Sequence, residues 1–201
     1  EQHFIVNETT AIRDGAKLLD TQPLAAWKAY MTFHFVDSYS TDLPKAFDDS
    51  RKELPFSGVY SLKDARLTLA ASDLTGPNGL AFSPDERYLY VANWDPKKKV
   101  VMRYRANPDG TLTDGTVFFD MTDAPGEDAL DGVKVDVRGN LYVSGPGGLW
   151  ILSPEGKHLG TIVTGEPTAN CAFGDDGGTL YMTANDKLTR IRLKTRGVVG
   201  K

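Results

Sequence analysis

Three segments of this chain can be laid over one another, and that repeat restricts the fold more than any other feature. They are Pro77-Asn78-Gly79-Leu80-Ala81-Phe82, Leu130-Asp131-Gly132-Val133-Lys134-Val135 and Ala169-Asn170-Cys171-Ala172-Phe173. Each is followed eleven or twelve residues later by a tyrosine-bearing strand pattern, at Tyr90, Tyr142 and Tyr181. The polar residues lie 53 and 39 positions apart, close to the length of a four-stranded propeller blade. The intervening sequence agrees. From Pro55 onward, short alternating runs such as Tyr-Leu-Tyr-Val-Ala and Val-Lys-Val-Asp-Val are separated by Pro-Asp, Asp-Gly and Gly-Gly turns, the pattern of strands joined by hairpins. About thirteen strands are expected in residues 57–193.

In a propeller the first strand of each blade lines the central channel, so residues that open those strands converge at one end of the ring. Asn78, Asp131 and Asn170 are then expected to meet. One carboxylate flanked by carboxamides is a hard-oxygen set suited to Ca²⁺, Mg²⁺ or Mn²⁺ and, with less preference, Zn²⁺. Taken singly, an Asn or Asp before Gly is as well explained by the turn that starts a strand. Recurrence at three equivalent positions, with a charge at Asp131, favours a binding site.

Residues 1–52 follow a different rule. Ala11, Ala16, Leu18, Leu19, Leu24, Trp27, Tyr30, Met31, Phe33 and Phe35 recur at spacings of three and four, which predicts helices. Pro23 opens one expected to run to about Tyr39, and Leu43–Arg51 a short third. A helical segment over 1–52 and a β domain over 54–201 are therefore expected, divided at the charged stretch between Asp48 and Pro55.

Composition narrows the function classes. A formal charge of −4 over 201 residues leaves no basic footprint for nucleic acid or anionic lipid. The run Lys97-Lys98-Lys99 follows Asp95-Pro96 and is expected to decorate a solvated turn. Cys171 is the only cysteine, so no internal disulfide or cysteine-based zinc site can form, and its place in a strand pattern marks it as a small buried residue. No apolar run is long enough to span a bilayer, and the chain reads as soluble, in the cytoplasm or exported. It begins with Glu1 rather than Met, which points to upstream sequence removed or lying outside it. Gly145-Pro146-Gly147-Gly148 lacks the helix and lysine of a phosphate loop and reads as a hairpin turn. No nucleophile motif accompanies His3, His34 or His158.

The wording of the repeat resembles the gluconolactonase and senescence-marker-protein family. The residues that carry the likeness are Leu74 to Asp85, Leu130 to Asp136 with Gly139 to Val143, and Pro167 to Gly174 with Leu180 to Ala184, in a region of roughly residues 54–196. The resemblance implies a six-bladed propeller with one divalent cation on its axis, Ca²⁺ foremost. Asn78 and Asp131 match two of the family's ligands, Asp131 also serving as proton shuttle, and Asn170 lies beside metal or substrate. It further implies hydrolysis of a sugar lactone or related cyclic ester. The family's glutamate ligand has no counterpart here, although Glu127, Asp128 or Glu166 could substitute. Thirteen strands are about three blades plus a hairpin, a partial propeller preceded by a short helical segment. The competing class is a non-catalytic remnant or binding module, whose open edges would allow self-association.

The N-terminal residues resemble something else. Phe4 to Asn7, Leu18 to Tyr30 and His34-Phe35 look like the helical lobe of neprilysin-type zinc metallopeptidases. The H-E-x-x-H helix of that family is missing from the sequence, so peptidase activity is not implied, and His34 reads as a packed or capped side chain. A fusion of two truncated genes would account for both likenesses.

Overall fold

Short apolar-rich runs separated by turn residues predict strands joined by hairpins, and central ones such as Tyr88–Asn93 and Leu141–Gly145 are buried on both faces. The structure, a computed structural model, describes residues 29–33, 56–63, 66–126 and 128–198. Among these every regular element is a strand. The chain divides into two units, residues 1–77 with 108–111 and residues 78–107 with 112–201.

The first unit contains an antiparallel sheet in the order β1 (Ala29–Phe33), β2 (Gly58–Lys63), β3 (Arg66–Ala71). Strand β1 corrects the expected helix from Pro23 to Tyr39: Ala29 pairs with Leu62 and Phe33 with Gly58. The physical reason lies in the density of large residues around Tyr30, Met31 and Phe33. Such a run satisfies helical and strand periodicities alike, and an aromatic and β-branched stretch beside an available partner resolves to a strand. The remaining expected helices, His3, His34 and the boundary near Asp48 lie outside the described residues.

The second unit holds three antiparallel meanders. The first is β4 (Pro77–Phe82), β5 (Tyr88–Asn93), β6 (Val100–Ala106) and β7 (Leu112–Asp120). The second is β8 (Val133–Val135), β9 (Leu141–Gly145), β10 (Gly148–Leu152) and β11 (His158–Ile162). The third is β12 (Thr168–Gly174), β13 (Thr179–Ala184) and β14 (Lys187–Arg192). From β2 to β14 the described residues form thirteen strands. Successive meanders with their opening strands side by side are the blades of a propeller arc.

Two cores hold the arc together, and strand β9 feeds both. Leu141 and Val143 join Tyr90, Val101, Met121, Leu130, Val133 and Leu152 on one side. Tyr142, the residue between them, joins Leu149, Cys171, Leu180 and Met182 on the other. The middle sheet is thus apolar on both faces, sandwiched between its neighbours. Its hairpin at Gly145–Gly148 closes by direct pairing of those two glycines, as its composition suggested. At the opposite end, Asp136 is fully buried and accepts hydrogen bonds from the Arg138 and Asn140 backbone N–H groups, both at 2.9 Å. That arrangement closes the β8–β9 turn.

The lysine run departs from expectation. Lys97 and Lys98 are exposed, whereas Lys99 is 5% exposed. Its ammonium donates to the Gly126 carbonyl at 2.7 Å, a partner that a reading of local sequence could not supply.

Replacing Leu141, which is fully buried, by Ala should cost ~2–5 kcal/mol. The same change at Leu188, which is 70% exposed, should cost about 0.5 kcal/mol or less. Chemical denaturation midpoints read both, and equal effects would contradict the assignment of this core.

Candidate functional site

The site is assembled where β4, β8 and β12 begin. Backbones approach there more closely than side chains permit, and glycine allows it. A β-carbon at Gly79 would overlap the Asp131 carbonyl oxygen, and one at Gly132 would overlap the Asn170 carboxamide. The residue after each polar group is therefore glycine in the first two repeats because the neighbouring strand occupies the space.

Hydrogen bonds then tie the three openings into a chain. The Asn78 amide Nδ2 donates to Asp131 Oδ1 at 2.9 Å. A carboxylate can only accept, which fixes the orientation of the amide. The Asp131 N–H donates to the Ser144 carbonyl at 3.3 Å, and the Gly132 N–H to the Ala169 carbonyl at 3.0 Å. Ser144, fully buried on β9, also donates its hydroxyl to the Ala169 carbonyl at 2.9 Å. Sequence reading passed over Ser144; its only signal was a small polar residue two positions after the repeated tyrosine.

The three expected residues are not equivalent in this arrangement. Asn78 and Asp131 are half-buried and bonded side chain to side chain. Asn170 is exposed, and its Oδ1 accepts the N–H of Cys171 at 2.8 Å, so it serves its own strand opening while lying over Gly132. Asn170 therefore lies within β12 and against Gly132, the residue after the acid.

Burial pushes the Asp131 carboxyl above the usual carboxylate range, partly offset by the hydrogen bond from Asn78 and the positive charge of Lys134. Desolvation of the charged form is the dominant cause. Of the acids considered as a further ligand, Glu166 is engaged by Lys187 Nζ at 2.8 Å, which holds its carboxyl below the usual range. Glu127 lies outside the described residues. Cys171 is buried as expected, its thiol pushed up to about 12 by desolvation, so it is not a poised nucleophile. His158 is exposed and stacks on Trp150 with ring centres 4.2 Å apart.

Among the described residues no group of three His, Cys, Asp or Glu side chains comes together. The donors at this site are one carboxylate and carboxamide oxygens, which suit a hard cation and not a nitrogen- or sulfur-ligated one.

The matches to known proteins agree with this architecture. A family model described as "SMP-30/Gluconolactonase/LRE-like region" matches residues 27–186. A gluconolactonase of Zymomonas mobilis is 39% identical over 170 residues, which cover 79% of this chain and 48% of that protein. This chain therefore spans about half the length of that relative. A solved gluconolactonase from Xanthomonas campestris is 32% identical with a TM-score of 0.63, covering 70% of this chain and 46% of the other. A solved calcium-binding regucalcin from Agrobacterium tumefaciens, 22% identical with a TM-score of 0.58 over 70% of this chain and 53% of its own, shares the fold. The family match begins at residue 27, inside the stretch likened to a peptidase lobe. With β1 formed there, that second likeness gains no support.

A raised folded pKa at Asp131 has a definite sign. The folded state holds the proton more tightly than the unfolded chain, so this group favours folding most below its unfolded value, near ~4. That advantage is lost as pH rises through the folded value. In chelator-treated protein, Asp131→Asn is therefore expected to raise the thermal midpoint at pH 7 and to leave it unchanged near pH 3. A lowered midpoint at pH 7 would show that the carboxylate is stabilised in the fold rather than strained by burial.

Proposed function

This chain belongs to the SMP-30/gluconolactonase/LRE-like family, and on that premise we propose that it hydrolyses a sugar lactone or related cyclic ester, with Asp131 as the acid–base group. The observation that carries the reading is the part-buried Asp131 carboxylate bonded to Asn78 where β4 and β8 begin. The similar proteins of Zymomonas mobilis and Xanthomonas campestris are gluconolactonases, which supports the same reading.

The chemistry asked of the chain is modest. Water adds to the lactone carbonyl, its oxygen forming the new bond to carbon, and the ring C–O bond breaks to leave a hydroxy acid. Asp131 accepts the water proton at its carboxylate and returns it to the departing ring oxygen, leaving the carboxylate ready again. The Asn78 amide holds the carboxylate in one orientation through the turnover, and the exposed Asn170, its Oδ1 taken by the Cys171 N–H, would offer Nδ2 to a substrate hydroxyl.

A divalent cation, Ca²⁺ foremost and Mg²⁺, Mn²⁺ or Zn²⁺ after it, would be held by Asp131 and Asn78, and when bound it supplies polarisation of the ester carbonyl. The donor set supports a hard cation, and a single carboxylate argues for modest affinity, because affinity rises with ligand charge.

Proton release from glucono-δ-lactone at neutral pH, followed with a weakly buffered indicator, tests the activity. Asp131→Ala should lower kcat by ~10²-fold or more, and chelator should suppress wild-type turnover. Full activity in Asp131→Ala would remove the proposed acid–base role, and an inactive wild type would remove the lactonase reading.

A further inference from the structure

We propose that Lys99 positions the catalytic end of the site by latching the loop that delivers Asp131. This deepens the lactonase reading and rests on it for its catalytic half. The described parts of this loop are residues 121–126, which follow β7, and 128–131, which precede β8. Its two ends lie together: a β-carbon at Gly145 would stand 2.8 Å from Leu130 Cδ2 and 3.2 Å from Met121 Sδ. Both residues are almost fully buried. Ends that meet over a packed base are a feature of Ω-type loops, a class often tied to function.

Lys99 fastens this loop at three points. Its carbonyl accepts the Met121 N–H at 2.8 Å, and its own N–H donates to Thr122 Oγ1 at 3.2 Å. Its ammonium reaches the Gly126 carbonyl at 2.7 Å. The first two involve the Lys99 backbone and hold the base of the loop. The third depends on the side chain and holds the apex, where Gly126 (φ +119°) lies against Pro146 and Gly147 of the β9–β10 turn.

A solvated lysine would be the ordinary outcome in this turn, as at Lys97 and Lys98. Lysine is seldom buried without a partner, because removing its charge from water is costly. Its burial at 5% exposure, with the charge directed to a carbonyl, is a specific arrangement that methionine could imitate in shape but not in bonding. With the apex released, the segment through Leu130 is free to move about its base. Asp131, the residue that follows, then spends less time in the geometry that Asn78 selects. A misplaced base slows the chemical step more than it weakens substrate binding.

The test compares Lys99→Met and Lys99→Arg in the full chain, by hydrogen exchange and by initial rates on glucono-δ-lactone. Lys99→Met should speed exchange of the Thr122 and Ala124 amides, which donate to Asp120 Oδ1 and the Met121 carbonyl, about tenfold, with β9 and β10 amides protected as before. Its kcat should drop about tenfold with KM little changed. Lys99→Arg, which keeps a charged donor for the Gly126 carbonyl, should recover most of both losses. Unchanged loop exchange in Lys99→Met overturns the latch, and faster exchange with unaltered kcat overturns the positioning role. If Lys99→Met does not fold, Thr122→Val loosens the same loop from its base: exchange and kcat should change together, and exchange changing alone again overturns the role. A wild type that opens no lactone refutes the lactonase reading and the catalytic half of this proposal, while loop exchange still decides the latch.

Discussion

Everything at the proposed site depends on backbones lying in direct contact at the openings of β4, β8 and β12. Gly79 lets β4 rest on the Asp131 carbonyl, and Gly132 lets β8 rest beneath the Asn170 carboxamide. A side chain at either glycine would have to push a neighbouring strand away, because the obstructing groups are backbone or a side chain pinned to it. Once the contact is made, residues from three separate repeats share one small region, and an aspartate there loses much of its water. The electrostatic character of the site is thus a consequence of strand packing rather than of any dense cluster of charge.

That origin explains why the site contains so few ionisable groups. Its acid is oriented by a neutral amide at 2.9 Å, and the neighbouring bonds from Gly132 and Ser144 to the Ala169 carbonyl are also made by neutral groups. Burial without a full counter-charge raises proton affinity. The same environment suits occupation by a hard cation, because a cation would supply the missing charge. The loop before Asp131 adds the mechanical element: it is packed at its base and tied at its apex by Lys99, and its described residues form no helix or strand.

Much of this was legible in the residues because the repeat encodes position. Asn78 and Asp131 were paired from their equivalent places before Gly in successive repeats, and the alternation of β9 between two cores follows directly from Leu-Tyr-Val. Other parts were not legible, each for a local reason. The stretch Ala29–Phe33 is dense enough in large residues to suit either periodicity, and its pairing with β2 is a long-range fact. Lys99 sits in a run of three lysines, and its burial is set by a loop more than twenty residues away. Asn170 carries the repeat's signature, but its oxygen is taken by the next backbone N–H, a bond no spacing rule reports. Ser144 lies inside a strand pattern where a small residue ordinarily means packing.

The most direct measurement of the account is carboxyl-detected NMR of Asp131 while Ca²⁺ is added to chelator-treated protein. Without the cation, the Asp131 carboxyl should titrate above an ordinary aspartate. With it, the signal should shift saturably and the titration should move to lower pH, since a bound cation favours the ionised form. A carboxyl that titrates like a solvated aspartate and does not respond to the cation would contradict the claim that this residue, buried by the meeting of three strands, is the chemical centre of the protein.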